Sequence, residues 1–190
     1  MSNLFPLHTS ASAPAAAQPL LEAASQAFGF VPNLIAIMAS SPALTEAYLA
    51  LSAIFEQKTS LTPTERQVVL LAVSRYHACR YCVAAHSTIA DMQGIPPAVV
   101  EAIRSDQPIA DTRLEALRSM VNALLERRAL LPDATLESFF SAGYTPAQLL
   151  DVLVGVAQKT LSNFTNHLAG TPLDEPMHAR AWTPAERLPH

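Results

Sequence analysis

The chain has 190 residues and a mass of 20.4 kDa, a length that fits one domain with a sizeable core. Hydrophobic residues make up 50% of it and charged residues 15%; the net charge is −4, with no basic stripe, which argues against nucleic-acid binding. No apolar run is long enough to span a bilayer, and Met1 to Gln18 lacks the basic and apolar regions of a signal peptide, so the expected location is the cytoplasm. A charged share this low leaves apolar surface to be covered, which a homo-oligomer would do.

Residues 1–17, rich in Ala, Ser and Pro, read as an arm. Leu20 to Phe28 reads as a helix stopped by Gly29, and Pro32 to Ala39 as a short one. Pro42 to Lys58 carries Leu44, Tyr48, Leu51 and Phe55 at helical spacing, giving one apolar face. Thr62-Pro-Thr-Glu65 is a capping box with proline in the first turn, so a helix starts there. A break is expected at Tyr76-His77-Ala78, and the next helix runs from near Cys79 to Gly94. Further helices are expected over Pro97 to Ser105, Arg113 to Leu130, and Asp133 to Ala142 before Gly143. A second box, Thr145-Pro-Ala-Gln148, opens a helix reaching about Leu168. The proline-rich tail, 170–190, is expected to drape over the domain or a neighbour, with a last turn hinted at by Thr183-Pro-Ala-Glu186. No alternating strand segment is flanked by hairpin turns. The expected fold is all-α: a compact multi-helix domain over 18–169, flanked by arm and tail.

The chemistry concentrates at Cys79-Arg-Tyr-Cys82, which holds both cysteines of the chain, with His86 four residues on. Two thiols at this spacing on a helix can close a disulfide, and an imidazole one turn away can reach the nearer thiol. A thiol attacks only as thiolate, so it needs a proton acceptor, a positive charge or a helix N-terminus. A helix starting near Cys79 would aim its free N–H groups at the sulfurs, and His86 would take the Cys82 proton directly or through water. Cys82 is therefore the candidate attacking sulfur and Cys79 the resolving one. The absence of a βαβ pattern argues against a thioredoxin site. A structural zinc would need His77 and His86 to complete a Cys2His2 set, and a buried, inert pair is the other alternative.

Leu71-Ala-Val-Ser74 followed by Cys79-x-x-Cys82-x-x-x-His86 resembles the alkyl hydroperoxidase D and carboxymuconolactone decarboxylase-like superfamily. The flanks Phe28-Gly-Phe-Val-Pro-Asn33, Ser41-Pro-Ala-Leu44, Asn163-Phe-Thr-Asn-His167 and Thr171-Pro-Leu-Asp174 are similar to its peroxidase-related branch. The resemblance implies an alkyl hydroperoxidase D-like helical fold and a homo-oligomer, trimeric or hexameric. It also implies reduction of a hydroperoxide substrate at the expense of a dithiol reductant, without haem, flavin or metal. Cys82 matches the peroxidatic position, Cys79 the resolving one and His86 the relay histidine. The family's relay usually includes a glutamate twelve residues before the first cysteine, where this chain has Gln67. Glutamine can orient His86 or hold a water, but cannot accept a proton.

Glu65, two residues earlier, faces elsewhere on a helix and is expected to close the capping box. His77 is expected to cap a helix end, although it could also tune the thiols. Tyr81 lines the pocket or fills the core. Asn166 and His167 are expected in structural hydrogen bonds or a subunit contact, and Trp182 as a tail anchor. The alternatives to a peroxidase are a slow redox-responsive scaffold and decarboxylase-like proton transfer.

Overall fold

The structure is a computed structural model that describes residues 4–184. Those residues form nine α-helices and two 3-10 turns, with no strand among them. The helices are α1 (Gln18–Phe28), α2 (Asn33–Met38), α3 (Pro42–Lys58), α4 (Pro63–Tyr76), α5 (Arg80–Met92), α6 (Pro97–Arg104), α7 (Thr112–Arg127), α8 (Asp133–Ser141) and α9 (Pro146–Ala169). The 3-10 turns are Ala15–Ala17 and Glu175–Arg180.

Both capping boxes are formed. Thr62 and Glu65 exchange hydrogen bonds at the start of α4, and Thr145 and Gln148 at the start of α9. Each satisfies two of the free donors at a helix start. Gly170, in the left-handed region at φ 60°, ends α9 one residue beyond the expected Leu168. The expected run to Leu130 overreaches: α7 stops at Arg127 because Arg128 and Ala129 both turn left-handed, a stop no glycine announces.

Helix α4 is the axis of the fold and packs against α5, α6, α7 and α9. It is buried nearly all round from Gln67 to Ser74, which explains why its pattern is a continuous apolar run rather than a stripe. Its core neighbours include Phe55, Ile103, Leu117, Met120 and Phe139. Helix α9 lies across α3 and α4. A Cβ added at Gly155 would stand 2.8 Å from both Phe55 Cζ and Val69 Cγ1, so the α9 backbone rests directly on these side chains.

The N-terminal arm is docked. Ala13 and Ala17 are buried with Leu21, Ala24, Ile35 and Ala39, and the His8 N–H donates to Ala36 O at 3.2 Å. The tail crosses back over α5 and α6. Arg104 donates to Arg180 O and Ala181 O, Arg180 pairs with Asp91 and Glu101, and Trp182 Nε1 donates to Arg104 O at 3.0 Å. Trp182 thus holds the tail down. Of the Thr183–Glu186 box, the part from residue 185 lies outside the described residues.

Candidate active site

Helix α4 ends at His77, Ala78 turns left-handed at φ 53°, and the Cys79 N–H donates back to Ser74 O at 2.9 Å. This sharp reversal sets Cys79 at the N-cap of α5 and Cys82 in its first turn. The Cys79 sulfur makes no capping hydrogen bond. Both cysteines are free and buried, in an apolar cluster with Leu34, Met38, Tyr81 and Ala85.

The charge beside them comes from α9, not from the helix end. Lys159 is 1% exposed, and its charge acts on Cys82, Tyr48 and Cys79. Burial alone would push the Cys82 thiol up. The Cys79 thiol donating to it, the Lys159 charge and Ser162 outweigh that and hold Cys82 well below the ordinary thiol value. Asn166 Nδ2 adds donors at 3.2 Å to Cys82 Sγ and 3.7 Å to Cys79 Sγ. Cys79 shifts the opposite way: donating to Cys82, with burial in support, drives its own pKa far up. One sulfur of the pair holds the charge and the other holds the proton. Lys159 stays charged despite burial, chiefly because Cys82 faces it.

His86 makes no direct hydrogen bond to Cys82, one of the two routes expected from the spacing. Its Nδ1 is 3.2 Å from Gln67 Oε1 and its Nε2 is 2.8 Å from Lys159 Nζ. Ammonium can only donate, so Nε2 accepts and Nδ1–H donates to Gln67. Neither cysteine sulfur is among the hydrogen-bond partners of the ring. Burial and the neighbouring Lys159 hold its pKa well below the usual histidine range, so the ring is neutral. Gln67 Nε2 donates in turn to Gln93 Oε1 at 3.2 Å. One directed chain therefore runs from Lys159 through His86 and Gln67 to Gln93, and His86 meets the thiolate by way of the ammonium.

The other residues have local assignments. Glu65 bonds Thr62 and accepts from Arg113 Nε at 3.0 Å. It sits at the far end of α4 from the thiols. Burial would raise its pKa, but the Thr62 and Arg113 hydrogen bonds keep it below the usual carboxylate range. His77 occupies the C-cap of α4 and ties it to α9 through Asn163 Oδ1 at 3.0 Å. Tyr81 donates to the buried Asp174, which also accepts from the Asn33 N–H, so Tyr81 fastens the tail and α2 to α5. Tyr81 also borders a pocket of about 320 Å³ shared with Cys79, Asn166, His167, Thr171 and Trp182.

Among the described residues no group of three or more His, Cys, Asp or Glu could hold a metal ion. His77 and His86 turn to different partners, and the Lys159 cation at the sulfurs opposes a second positive charge. No helix among those residues is long and apolar enough to cross a membrane.

An all-α core that brings two thiols to one buried ammonium defines a class, a helical dithiol protein. Residues 34–126 match the model of the carboxymuconolactone decarboxylase family, and the matched segment holds both cysteines, Gln67 and His86. The fold is shared with a peroxidase-related protein from Ralstonia eutropha JMP134 with an alkylhydroperoxidase AhpD core. That pair has TM-score 0.79 and 23% identity over 91% of this chain and 93% of that one. A peroxidase-related protein from Silicibacter sp. TM1040 aligns at TM-score 0.79 and 18% identity, over 93% of each chain. The debrominase Bmp8, in complex with 2,3,4-tribromopyrrole, aligns at TM-score 0.78 and 18% identity over 95% of this chain and 96% of that one. No curated protein sequence matches the chain.

Proposed function

We propose that this protein reduces hydroperoxides by a dithiol–disulfide cycle at Cys82 and Cys79. The observation that carries the reading is the placement of two free, buried cysteines at the start of α5, with Asn166 Nδ2 donating to both sulfurs and the buried Lys159 held at the same site by His86. It supplies the two unlike sulfurs such a cycle needs.

The Cys82 thiolate attacks the terminal oxygen of ROOH. The S–O bond forms, the O–O bond breaks, and RO⁻ takes a proton from Lys159 to leave as ROH. Lys159 donates because it is the cation at the sulfur, and His86 Nε2 holds the ammonium in place. The Cys79 sulfur then attacks the Cys82 sulfenic acid, and its own proton leaves with the hydroxyl as water. The product is a Cys79–Cys82 disulfide, and a dithiol reductant reopens it. The steps need neither metal nor cofactor, because sulfur carries both electrons.

Homo-oligomerisation belongs to the same reading. Helix α9 buries Gln158, Lys159, Ser162, Asn163 and Asn166 and leaves Leu150, Phe164 and Leu168 exposed, Leu168 by 75%. A second copy of the chain would cover that face.

The test is hydroperoxide consumption with dithiothreitol as donor. Wild type turns over, Cys82→Ser does not, and Cys79→Ser stops after one equivalent. Wild type inert toward every hydroperoxide but active in releasing bromide from a brominated pyrrole would replace this reading with thiolate attack on halogen, in line with the fold shared with the debrominase.

A further inference from the structure

The cavity of about 320 Å³ beside the thiols has a polarity along its depth. Cys79 lines it and is 1% exposed, so that sulfur marks the inner end. Asn166 lines it too, and its Nδ2 is 3.2 Å from Cys82 Sγ, which lies behind the wall. The tail supplies an apolar side through Leu173, Ala181 and Trp182. The volume is that of a site for a small molecule.

The outer end carries the charge. Arg80, at the start of α5, and His167, in the last turn of α9, both line the cavity and are both exposed. Arg80 takes part in none of the ion pairs among the described residues. No carboxylate lines the cavity, although the chain as a whole has net charge −4. Asp174, next to Leu173 in the chain, is buried and bonded to Tyr81 and the Asn33 N–H. The guanidinium offers a planar fork of N–H donors and the imidazole at least one more. Converging from two helices, they suit a planar oxyanion such as a carboxylate.

We infer that this cavity binds an organic acid, with its apolar stem along Leu173 and Trp182 and its carboxylate between Arg80 and His167. The inference rests on the dithiol cycle proposed above and names its substrate class: an alkyl hydroperoxide that carries a carboxylate at the end remote from the O–O bond. The carboxylate stays at the open end, and the hydroperoxide end is directed inward to the sulfur pair. The chemical step is the one already described. The acid group takes no part in it and serves to orient the chain, so its binding energy is spent on position. A neutral hydroperoxide of the same length has the stem but lacks the anchor.

Trp182 is the only tryptophan and lines the cavity, so its fluorescence reports occupancy without any peroxide chemistry. Reduced wild-type protein is titrated with octanoate and with 1-octanol. At low salt octanoate is expected to bind about tenfold more tightly, the scale of two exposed charge-assisted contacts. Arg80→Gln should lower that ratio about fivefold, the scale of one such contact, and added salt should lower it in wild type. Bound octanoate should also slow alkylation of Cys79 by iodoacetamide, read by mass spectrometry. In the dithiothreitol assay, a carboxylate-bearing hydroperoxide should show kcat/KM about tenfold above that of its methyl ester, and Arg80→Gln should remove most of the difference. Equal binding of acid and alcohol, no response of Trp182 to octanoate, an Arg80→Gln variant that binds octanoate as wild type does, or equal kcat/KM for acid and ester overturns the inference and leaves the peroxidase reading standing. Octanoate bound as expected, with neither hydroperoxide consumed, overturns the dithiol cycle and leaves the acid site standing.

Discussion

Lys159 Nζ lies 2.8 Å from His86 Nε2 while its charge faces Cys82, so one buried ammonium joins the imidazole to the thiolate. The group that sets the thiol's acidity is a cation from α9, 77 residues along the chain from Cys82.

Replacing that cation separates charge from position. Lys159→Met fills a similar volume without the ammonium, and burial then governs Cys82. The ultraviolet thiolate titration is expected to move above the free thiol value of ~8.5. Peroxide consumption should fall on the order of 10²-fold, typical of losing one preorganised charge at a reacting centre. An unmoved titration would show that Lys159 does not govern the thiol.

The same pair sets a pH window for stability. Cys82 is depressed in the fold, so its contribution is full above the unfolded value of ~8.5 and is lost as pH falls through the folded value. Lys159 is raised, so its contribution is full below ~10.4 and is lost as pH rises through its folded value. The contribution of the pair is therefore greatest between ~8.5 and ~10.4. Across this range the pair adds no slope to wild-type denaturant midpoints, whereas in Lys159→Met, with burial raising the Cys82 thiol, the midpoint should fall as pH rises above ~8.5.

His86 gives the acid limb. Its pKa is depressed, so the unfolded chain takes up a proton near ~6.5 that the folded chain refuses. Stability is expected to drop as pH falls below ~6.5 and to drop less steeply in His86→Gln. NMR of the wild-type ring should show a neutral imidazole with the proton on Nδ1 at neutral pH. A ring titrating at its ordinary value would contradict the Lys159–His86 contact.

Gln67→Glu tests what the glutamine withholds. A carboxylate at this place would accept from His86 Nδ1–H and favour the protonated ring, adding a proton store behind Lys159. Peroxide turnover is expected to rise several-fold, with a new ionisation in the pH–rate profile. No gain would mean that Lys159 already supplies the proton and that Gln67 only orients His86.

Tyr81→Phe removes the hydroxyl donating to Asp174 and leaves a buried carboxylate supported by the Asn33 N–H alone. The expected cost is about 1–3 kcal/mol, read as a lower Tm and faster proteolysis in the tail after Gly170. An unchanged digestion pattern would show that the Arg104 and Trp182 contacts suffice to hold the tail.

The helices were legible because their ends carry strong local chemistry: two Thr-Pro capping boxes, and glycines at 29, 94, 143 and 170, all with positive φ. The end of α7 was not, since Arg128 and Ala129 adopt left-handed geometry that their side chains do not favour. The thiol pair and His86 were visible as a spacing within one helix. Lys159 was not, because a lysine in a long helix reads as solvated until its face is known. A signal was nonetheless present. Gln158, Lys159, Ser162, Asn163 and Asn166 recur at steps of three and four and are all buried, while the apolar Phe164 and Leu168 lie outside. Read as the inward face, that polar stripe would have pointed at the cysteines.

Gly155 stands one turn before Lys159 on the same side of α9. Its missing methyl group lets α9 sink onto Phe55 and Val69, and the depth of that seat decides how close the ammonium comes to sulfur. Reactivity here is thus held by a steric vacancy that contains no reactive atom. A substitution at this glycine would register in an assay as a defect in acid–base chemistry, although every acid and base in the protein was still present.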